Sequence, residues 1–96
     1  MPVVRTHRFT VDPEDLDEFC KRRAVAVDAV RAVQSGLGEA RLVRLEDGTF
    51  VDTWLWESAE QLRAAVQARA GIPEVYAARA LTKDFTDEDG EVVSSQ

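Results

Sequence analysis

The residues best suited to chemistry lie near the start of the chain. His7 is the only histidine, and Arg5 and Phe9 stand two positions to either side of it. Side chains alternate along an extended segment, so these three share one face. Imidazole titrates near neutral pH, and His7 is therefore a candidate acid/base or hydrogen-bond donor. Arg5 is a candidate partner for an enolate or carboxylate.

Each of these two residues also has a purely structural interpretation. His7 could be a core or interface histidine with a satisfied hydrogen bond, and Arg5 could form a salt bridge, for example with Asp52 across the sheet or across a dimer. The mixed alternation of the segment does not fix which way His7 faces.

A second group of candidates is aromatic. Trp54 and Trp56 lie one residue apart in "DTWLWESAEQL", so they share a face if this segment is a strand. Such rings suit flat substrates but also pack cores and interfaces. We interpret Trp56 as structural and Trp54 as a candidate pocket wall. Tyr76 and Arg79 lie three residues apart, on one side of a predicted helix, and are further candidates for substrate contact. Packing at the core or rim is the alternative for Tyr76.

Composition excludes several classes of function. The 96 residues include 18 acids and 12 bases, a net charge of -6, which is unsuited to binding nucleic acid. No apolar run reaches the ~20 residues of a membrane span. Glu46 and Asp47 lack further ligands at metal-binding spacing, so we predict no metal site.

The cysteine and one basic run are predicted to be unremarkable chemically. With Cys20 alone, no internal disulfide can form, and a reducing cytoplasm is the expected location. Cys20 falls on an apolar helical stripe, so we expect a buried, inert thiol. The basic run at 21–23 is expected to be a solvated helix face.

Turn and cap signals predict the order of the elements. Asp12-Pro13 indicates an N-cap followed by the first helical residue, Asp47-Gly48 a two-residue hairpin turn, and Ser58 with Gln61 a capping box. The predicted elements are a strand at 3–11, a helix at 13–34, strands at 39–46 and 49–56, a helix from Ser58 to near Gly71, a short helix from Pro73, and a last strand at 91–94 after a turn at Asp89-Gly90.

This order predicts one domain, residues 1–96, with a ferredoxin-like α+β fold, in which an antiparallel sheet carries its helices on one face. Phe50, Trp54 and Trp56 lie on one face of the third strand. Val51, Thr53 and Leu55 lie on the other, so both faces are largely apolar. Because a small sheet cannot leave an apolar face in water, a second copy of the chain is the simplest cover for the face without helices.

Three segments resemble the antibiotic biosynthesis monooxygenase domain family of the dimeric α+β barrel superfamily. "VVRTHRFTVDPEDLDEF" is similar to the family's opening strand and long helix, and "VQSGLGEARLVR" to its glycine turn into the second strand. "TFVDTWLWESAEQLRAAV" resembles its strand ending in Trp-x-Ser, with Trp56 and Ser58 at the motif positions. Together the segments span roughly residues 3 to 80 in the family's order.

The resemblance implies a homodimer whose sheets pack face to face, with a cleft between sheet and helices in each subunit. It also implies a cofactor-independent monooxygenase that oxidises an aromatic, polyketide-like or quinol-like small molecule. An electron-rich phenolate can itself pass an electron to oxygen, so the protein has to deprotonate the substrate, orient it and exclude water. His7 would be the acid/base, Arg5 and Tyr76 polar anchors, and Trp54 an aromatic wall.

The sequence is also compatible with other functions of the same fold. In the haem-degrading branch of the family an asparagine, a tryptophan and a histidine matter. An ungapped match places His7, Ala65 and Val75 at or near those positions, so that set is absent. A non-catalytic small-molecule binder, a cyclase or isomerase using the same cleft, and a structural module with a filled core are the alternatives.

Overall fold

The computed structural model describes all residues from Met1 to Gln96 and contains one four-stranded antiparallel sheet. Its elements are β1 (Val3–Val11), α1 (Leu16–Val33), β2 (Leu37–Arg44), β3 (Phe50–Trp56), α2 (Ala59–Ala68), α3 (Pro73–Arg79) and β4 (Thr82–Glu91). The strands lie side by side in the order β2-β3-β1-β4. The predicted ferredoxin-like α+β fold is confirmed.

The start of the first helix differs from the prediction in one respect. Pro13–Asp15 form a short 3-10 turn, and α1 follows directly at Leu16. Asp12, predicted as the N-cap, makes no capping hydrogen bond. Its carboxylate instead accepts a hydrogen bond from Lys83 Nζ at 2.8 Å. Asp12 and Pro13 thus occupy the predicted N-cap and first positions of the turn that leads into α1, and only the side-chain cap is missing, because β4 brings this ammonium group beside Asp12.

The hairpin between β2 and β3 is confirmed, but its turn is longer than predicted. The backbone N–H of Leu45 donates to Thr49 O at 2.8 Å, so Glu46–Gly48 form a three-residue loop. Gly48 has φ +90°, a left-handed conformation that such loops require at their last position. The paired strands therefore stop short of the predicted turn: β2 ends at Arg44 rather than at residue 46, and β3 begins at Phe50 rather than at residue 49.

The N-terminus of α2 is capped as the sequence predicts, although only half of the capping box forms. Ser58 Oγ accepts a hydrogen bond from the backbone N–H of Gln61 at 3.2 Å. The Gln61 side chain does not return to the Ser58 backbone and instead contacts Ser58 Oγ and Glu57. Trp56, immediately before this cap, is 3% exposed and belongs to the core.

The last strand was predicted in the wrong place. β4 runs from Thr82 to Glu91, and Asp89-Gly90 lie within it rather than in a turn. Half of its ten residues are acidic, and acids are poor strand formers, so its composition masks it. Cross-strand ion pairs with β1 compensate, because Arg5 contacts Asp87 and Asp89 while Arg8 contacts Glu88.

The core lies on the helix-covered side of the sheet. One buried cluster surrounds Trp56 and Val30, and a second surrounds Phe9 and Phe19. Cys20 was predicted to be buried but is exposed. The buried stripe of α1 consists of Phe19, Ala26, Val27 and Val30, and Cys20 lies at its edge, about 100° around the helix from Phe19.

The opposite face of the sheet carries no helix and is mixed in character. Val51 and Leu55 alternate with Thr53 on β3, and Thr6 and Arg8 stand on the same side of β1. Leu55 and Val43 remain exposed. None of the three helices combines the length and the apolar character that a membrane span requires.

Candidate functional site

A cavity of about 130 Å³ opens between the sheet and the three helices. Its walls come from both buried clusters, and it opens to solvent on one side, so it is a cleft that reaches into the core. The volume is comparable to that of the roughly 150 Å³ apolar cavity that accommodates benzene. One aromatic ring therefore fits inside, and a larger ligand must extend through the mouth.

All the residues singled out from the sequence as site candidates line this cavity: Arg5, His7, Phe9, Trp54, Tyr76 and Arg79. β1 supplies the first three from one face, and β3 supplies Trp54 from the neighbouring strand. Tyr76 is 46% exposed, so its ring lies at the mouth rather than in the interior. The question of which way His7 faces is answered, since it faces the helices.

His7 lies at the middle of the sheet side of the cavity. It is register-paired with Asp52 of β3 on one side and with Asp87 of β4 on the other. Its ring centroid is 6.1 Å from that of Trp54 and 5.1 Å from that of Phe85. Burial lowers the pKa of His7 below its usual 6.5, and the nearby charge of Asp52 opposes that shift. The imidazole is therefore neutral at pH 7, the form that accepts a proton.

Neither ring nitrogen of His7 is held by a hydrogen bond within the chain, and only burial and nearby charges shift its pKa. A satisfied structural histidine would direct at least one nitrogen at a backbone or side-chain partner. Both nitrogens are thus available to a molecule in the cavity.

Arg5 is tied to β4. Its guanidinium contacts Asp87 at 2.9 Å and Asp89 at 3.0 Å. A salt bridge was among the expected roles of Arg5, but the predicted partner, Asp52, was wrong. Asp89 lies directly across the strand pair from Arg5, and Asp87 lies two residues earlier on β4. The prediction missed both because it misplaced the last strand.

Asp52 has a different partner, one that sequence reasoning missed. Arg23 of α1 donates to both of its carboxylate oxygens, at 2.9 and 2.8 Å. The two side chains are only 17% and 5% exposed and line the cavity together. The prediction that 21–23 is a solvated face was therefore wrong for Arg23. Its spacing was the available signal, because Arg23 lies four residues after Phe19 and three before Ala26, on the inward stripe.

Phe85 is a second wall residue that the sequence did not reveal. Its ring stacks on Phe9 at a centroid distance of 6.0 Å, and the Arg79 guanidinium carbon lies 4.1 Å above it. An irregularity in the β1–β4 pairing between Arg8 and Thr10, with Asp84 at φ 55°, precedes Phe85. Such bulges re-aim side chains, and here Phe85 is turned into the cavity.

The two tryptophans differ in burial but share one feature. Trp56 is core, while Trp54 is only partly buried and packs against that core from the cavity side. The indole N–H of each is buried without an acceptor in the chain. An unmet buried donor costs about 1–3 kcal/mol, so packing area must outweigh this at both positions.

Comparison with solved structures places this architecture among known proteins. A cofactor-independent oxygenase from Streptomyces nogalater, SnoaB, is 24% identical with a TM-score of 0.80, over 98% of this chain and 95% of that one. A protein named antibiotic biosynthesis monooxygenase is 17% identical with a TM-score of 0.72, over 96% and 99% of the two chains. The chain has the fold of the antibiotic biosynthesis monooxygenases. The resemblance seen in the three sequence segments is thereby confirmed for the fold.

The same architecture also occurs with other ligands. A variant of MhuD, with two manganese protoporphyrin IX bound per active site, is 24% identical with a TM-score of 0.73, over 98% and 97% of the two chains. No protein-family model matches the sequence, and no curated protein matches it. The likeness at this level of identity concerns the fold, so function has to be argued from the cavity.

Proposed function

We propose that the protein is a cofactor-independent monooxygenase that oxidises an aromatic, quinol-like or polyketide-like small molecule in the cavity beneath its sheet. The observation that carries the proposal is His7, a neutral imidazole with both nitrogens free inside an aromatic-lined cavity. A base in this setting can take the proton of an acidic phenol or of a carbon flanked by aromatic rings.

The chemistry balances without an added reductant. His7 accepts a proton from the substrate, and the resulting anion passes one electron to dioxygen. The substrate radical and superoxide join through a new C–O bond, and the proton returns from His7 to the peroxide. Cleavage of the O–O bond with loss of water leaves a carbonyl, so a substrate methylene and one dioxygen become a carbonyl and one water. All the electrons come from the substrate.

The protein's part in this sequence is positioning and charge. Asp52 and Asp87 flank His7 and raise its pKa, so they favour the imidazolium formed when it takes the proton. Arg23 and Arg5 hold these carboxylates in place. Trp54, Phe9 and Phe85 form apolar walls, which hold a flat ring and keep water away from the substrate anion.

The test is oxygen consumption by purified protein with an anthrone or a naphthalenediol under air. Turnover should exceed the uncatalysed rate by at least about a hundredfold, the usual contribution of a general base, and fall to background in His7→Ala. His7→Gln keeps a hydrogen-bonding side chain without a base near neutral pH and should behave like His7→Ala. The control is Cys20→Ser, a change at an exposed residue that does not line the cavity, which should keep full activity.

Two results would contradict the proposal. Full activity in both His7 variants would show that His7 is not the general base. Binding of the aromatic compounds without oxygen uptake would indicate a non-catalytic small-molecule binder instead.

A further inference from the structure

The charged side chains of the cavity do not balance. Four arginines and two aspartates line it, and His7 is neutral, so the lining carries a net charge of +2. The whole chain carries -6. A concave region of positive charge attracts anionic ligands and has little effect on neutral ones, even when the protein as a whole is acidic.

The paired charges account for only half of the arginines. Arg23 is neutralised by Asp52, and Arg5 is neutralised by Asp87 together with Asp89, which lies just outside the lining. Arg69 and Arg79 contact no carboxylate, and the neighbour of Arg79 is the ring of Phe85. With Asp89 counted, the four arginines and their three carboxylates keep a net charge of +1, and the unpaired positive charge lies on Arg69 and Arg79.

The two unpaired arginines lie towards the open side of the cavity. Arg79 is an exposed residue at the end of α3, one turn after the half-exposed Tyr76. Arg69 is exposed in the short turn after α2. Stacking of Arg79 on Phe85 fixes its guanidinium face and leaves the N–H edges free, the groups that bind a carboxylate in a forked pair.

From this arrangement we infer that the cavity takes aromatic carboxylates: the ring lies between His7, Trp54 and Phe85, and the carboxylate lies at the mouth against Arg79 and Arg69. The inference rests on the proposed function only in taking this cavity as the substrate site. It narrows the substrate from any quinol-like aromatic to one with a permanent negative charge about one ring away from the oxidised position. The cavity volume sets that distance, because it accommodates a single ring and the rest of the ligand must extend through the mouth.

Binding of a matched pair of probes tests the inference. Calorimetry at pH 7.5 compares 6-hydroxy-2-naphthoate with 2-naphthol, which share the fused rings and the hydroxyl but differ in the carboxylate at the far end of the second ring. The carboxylate should bind about tenfold more tightly, as one charged hydrogen-bonded contact allows. Raising the salt concentration should weaken the naphthoate complex and leave the naphthol complex unchanged.

The variants assign the effect to particular residues. Arg79→Gln should abolish most of the tenfold preference, and Arg69→Gln should reduce it. Arg63→Gln is the control, because it removes the same charge from an exposed residue of α2 that does not line the cavity, and it should keep the preference. All three side chains are exposed, so these variants should fold, which circular dichroism checks.

Three outcomes would overturn the inference: equal affinity for the two probes, binding of neither, or an unchanged preference in the Arg69 and Arg79 variants. Oxygen uptake separates this from the proposed function. If the protein binds the naphthoate selectively but consumes no oxygen with any oxidisable aromatic carboxylate, the inferred ligand class holds and the proposed oxygenase activity is wrong. If naphthalenediols with and without a carboxylate are oxidised with equal kcat/KM, the oxygenase activity holds and the preference for carboxylates is wrong.

Discussion

His7 controls how the cavity should respond to pH. Burial lowers its pKa below 6.5, so the imidazole stays neutral to a lower pH than an exposed histidine does. If it is the base, kcat/KM should be constant near pH 7 and fall only below 6.5, as protonation removes the acceptor. Because the chain has one histidine, an NMR titration of the imidazole signals measures this pKa without interference. A titration midpoint at or above 6.5 would contradict the prediction.

The same shift links His7 to stability. The unfolded chain takes up a proton near pH 6.5, whereas the folded chain does so only at lower pH, so the folded state binds fewer protons in between. The free energy of unfolding should therefore fall as pH drops from 6.5 through the folded pKa. In His7→Gln that part of the decline should be absent. Urea unfolding at pH 7.5 and at pH 5.5 for both proteins measures the difference.

The Arg23–Asp52 pair is predicted to be costly to break. Asp52→Asn leaves the Arg23 guanidinium largely buried without its partner, which should destabilise the fold by about 2–4 kcal/mol. Glu88→Gln, which breaks the exposed pair with Arg8, is the matched control and should cost less than about 1 kcal/mol. Equal costs for the two in chemical denaturation would mean that the buried pair has no special role. Asp52→Asn should also lower the His7 pKa further, because it removes a charge that raises it.

At the scale of elements, β4 forms one wall of the cavity, and its bulge places Phe85 there. Asp84 has φ 55°, a left-handed conformation that costs a non-glycine residue about 1–2 kcal/mol. Asp84→Gly should therefore preserve or raise stability, whereas Asp84→Val should lower it by at least about 1 kcal/mol, as thermal unfolding would measure. Greater stability for the valine variant would rule out the bulge conformation. Binding of an aromatic probe should weaken in Asp84→Val, because the bulge aims Phe85.

The elements also mark where sequence reasoning succeeds. Trp56 and Ser58 identify a strand end followed by a capped helix, since alternation and capping are local rules. Candidates on β1 and β3 could be assigned to one face for the same reason. Arg23 and Phe85 escaped because their roles depend on contacts between elements. A basic triplet resembles a solvated face until Phe19 and Ala26 fix the helix rotation, and an acidic strand resembles a loop until β1 supplies its arginines.

At the scale of the whole molecule, the sheet face without helices is predicted to join two chains. It exposes Leu55 and Val43 beside threonines and arginines, a composition compatible with an interface core and a polar rim. Light scattering should give twice the 10.7 kDa of one chain. Leu55→Arg should shift this towards the single-chain mass, and Val93→Arg, in the exposed C-terminal segment, should not. The mass of one chain for the unaltered protein would refute the homodimer.

The position of β4 at the border of the sheet has one further consequence. A border strand presents unpaired backbone N–H and C=O groups, on which another chain can add a strand and begin to aggregate. The five carboxylates of β4 outnumber Lys83 and the two arginines of β1 that pair with three of them, so this edge keeps a net negative charge and two molecules approaching edge to edge repel each other. The repulsion disappears when the carboxylates are protonated. The acidic composition that conceals this strand in the sequence should therefore oppose edge-to-edge association at neutral pH, and this protection should weaken as the pH falls towards the pI of about 4.7.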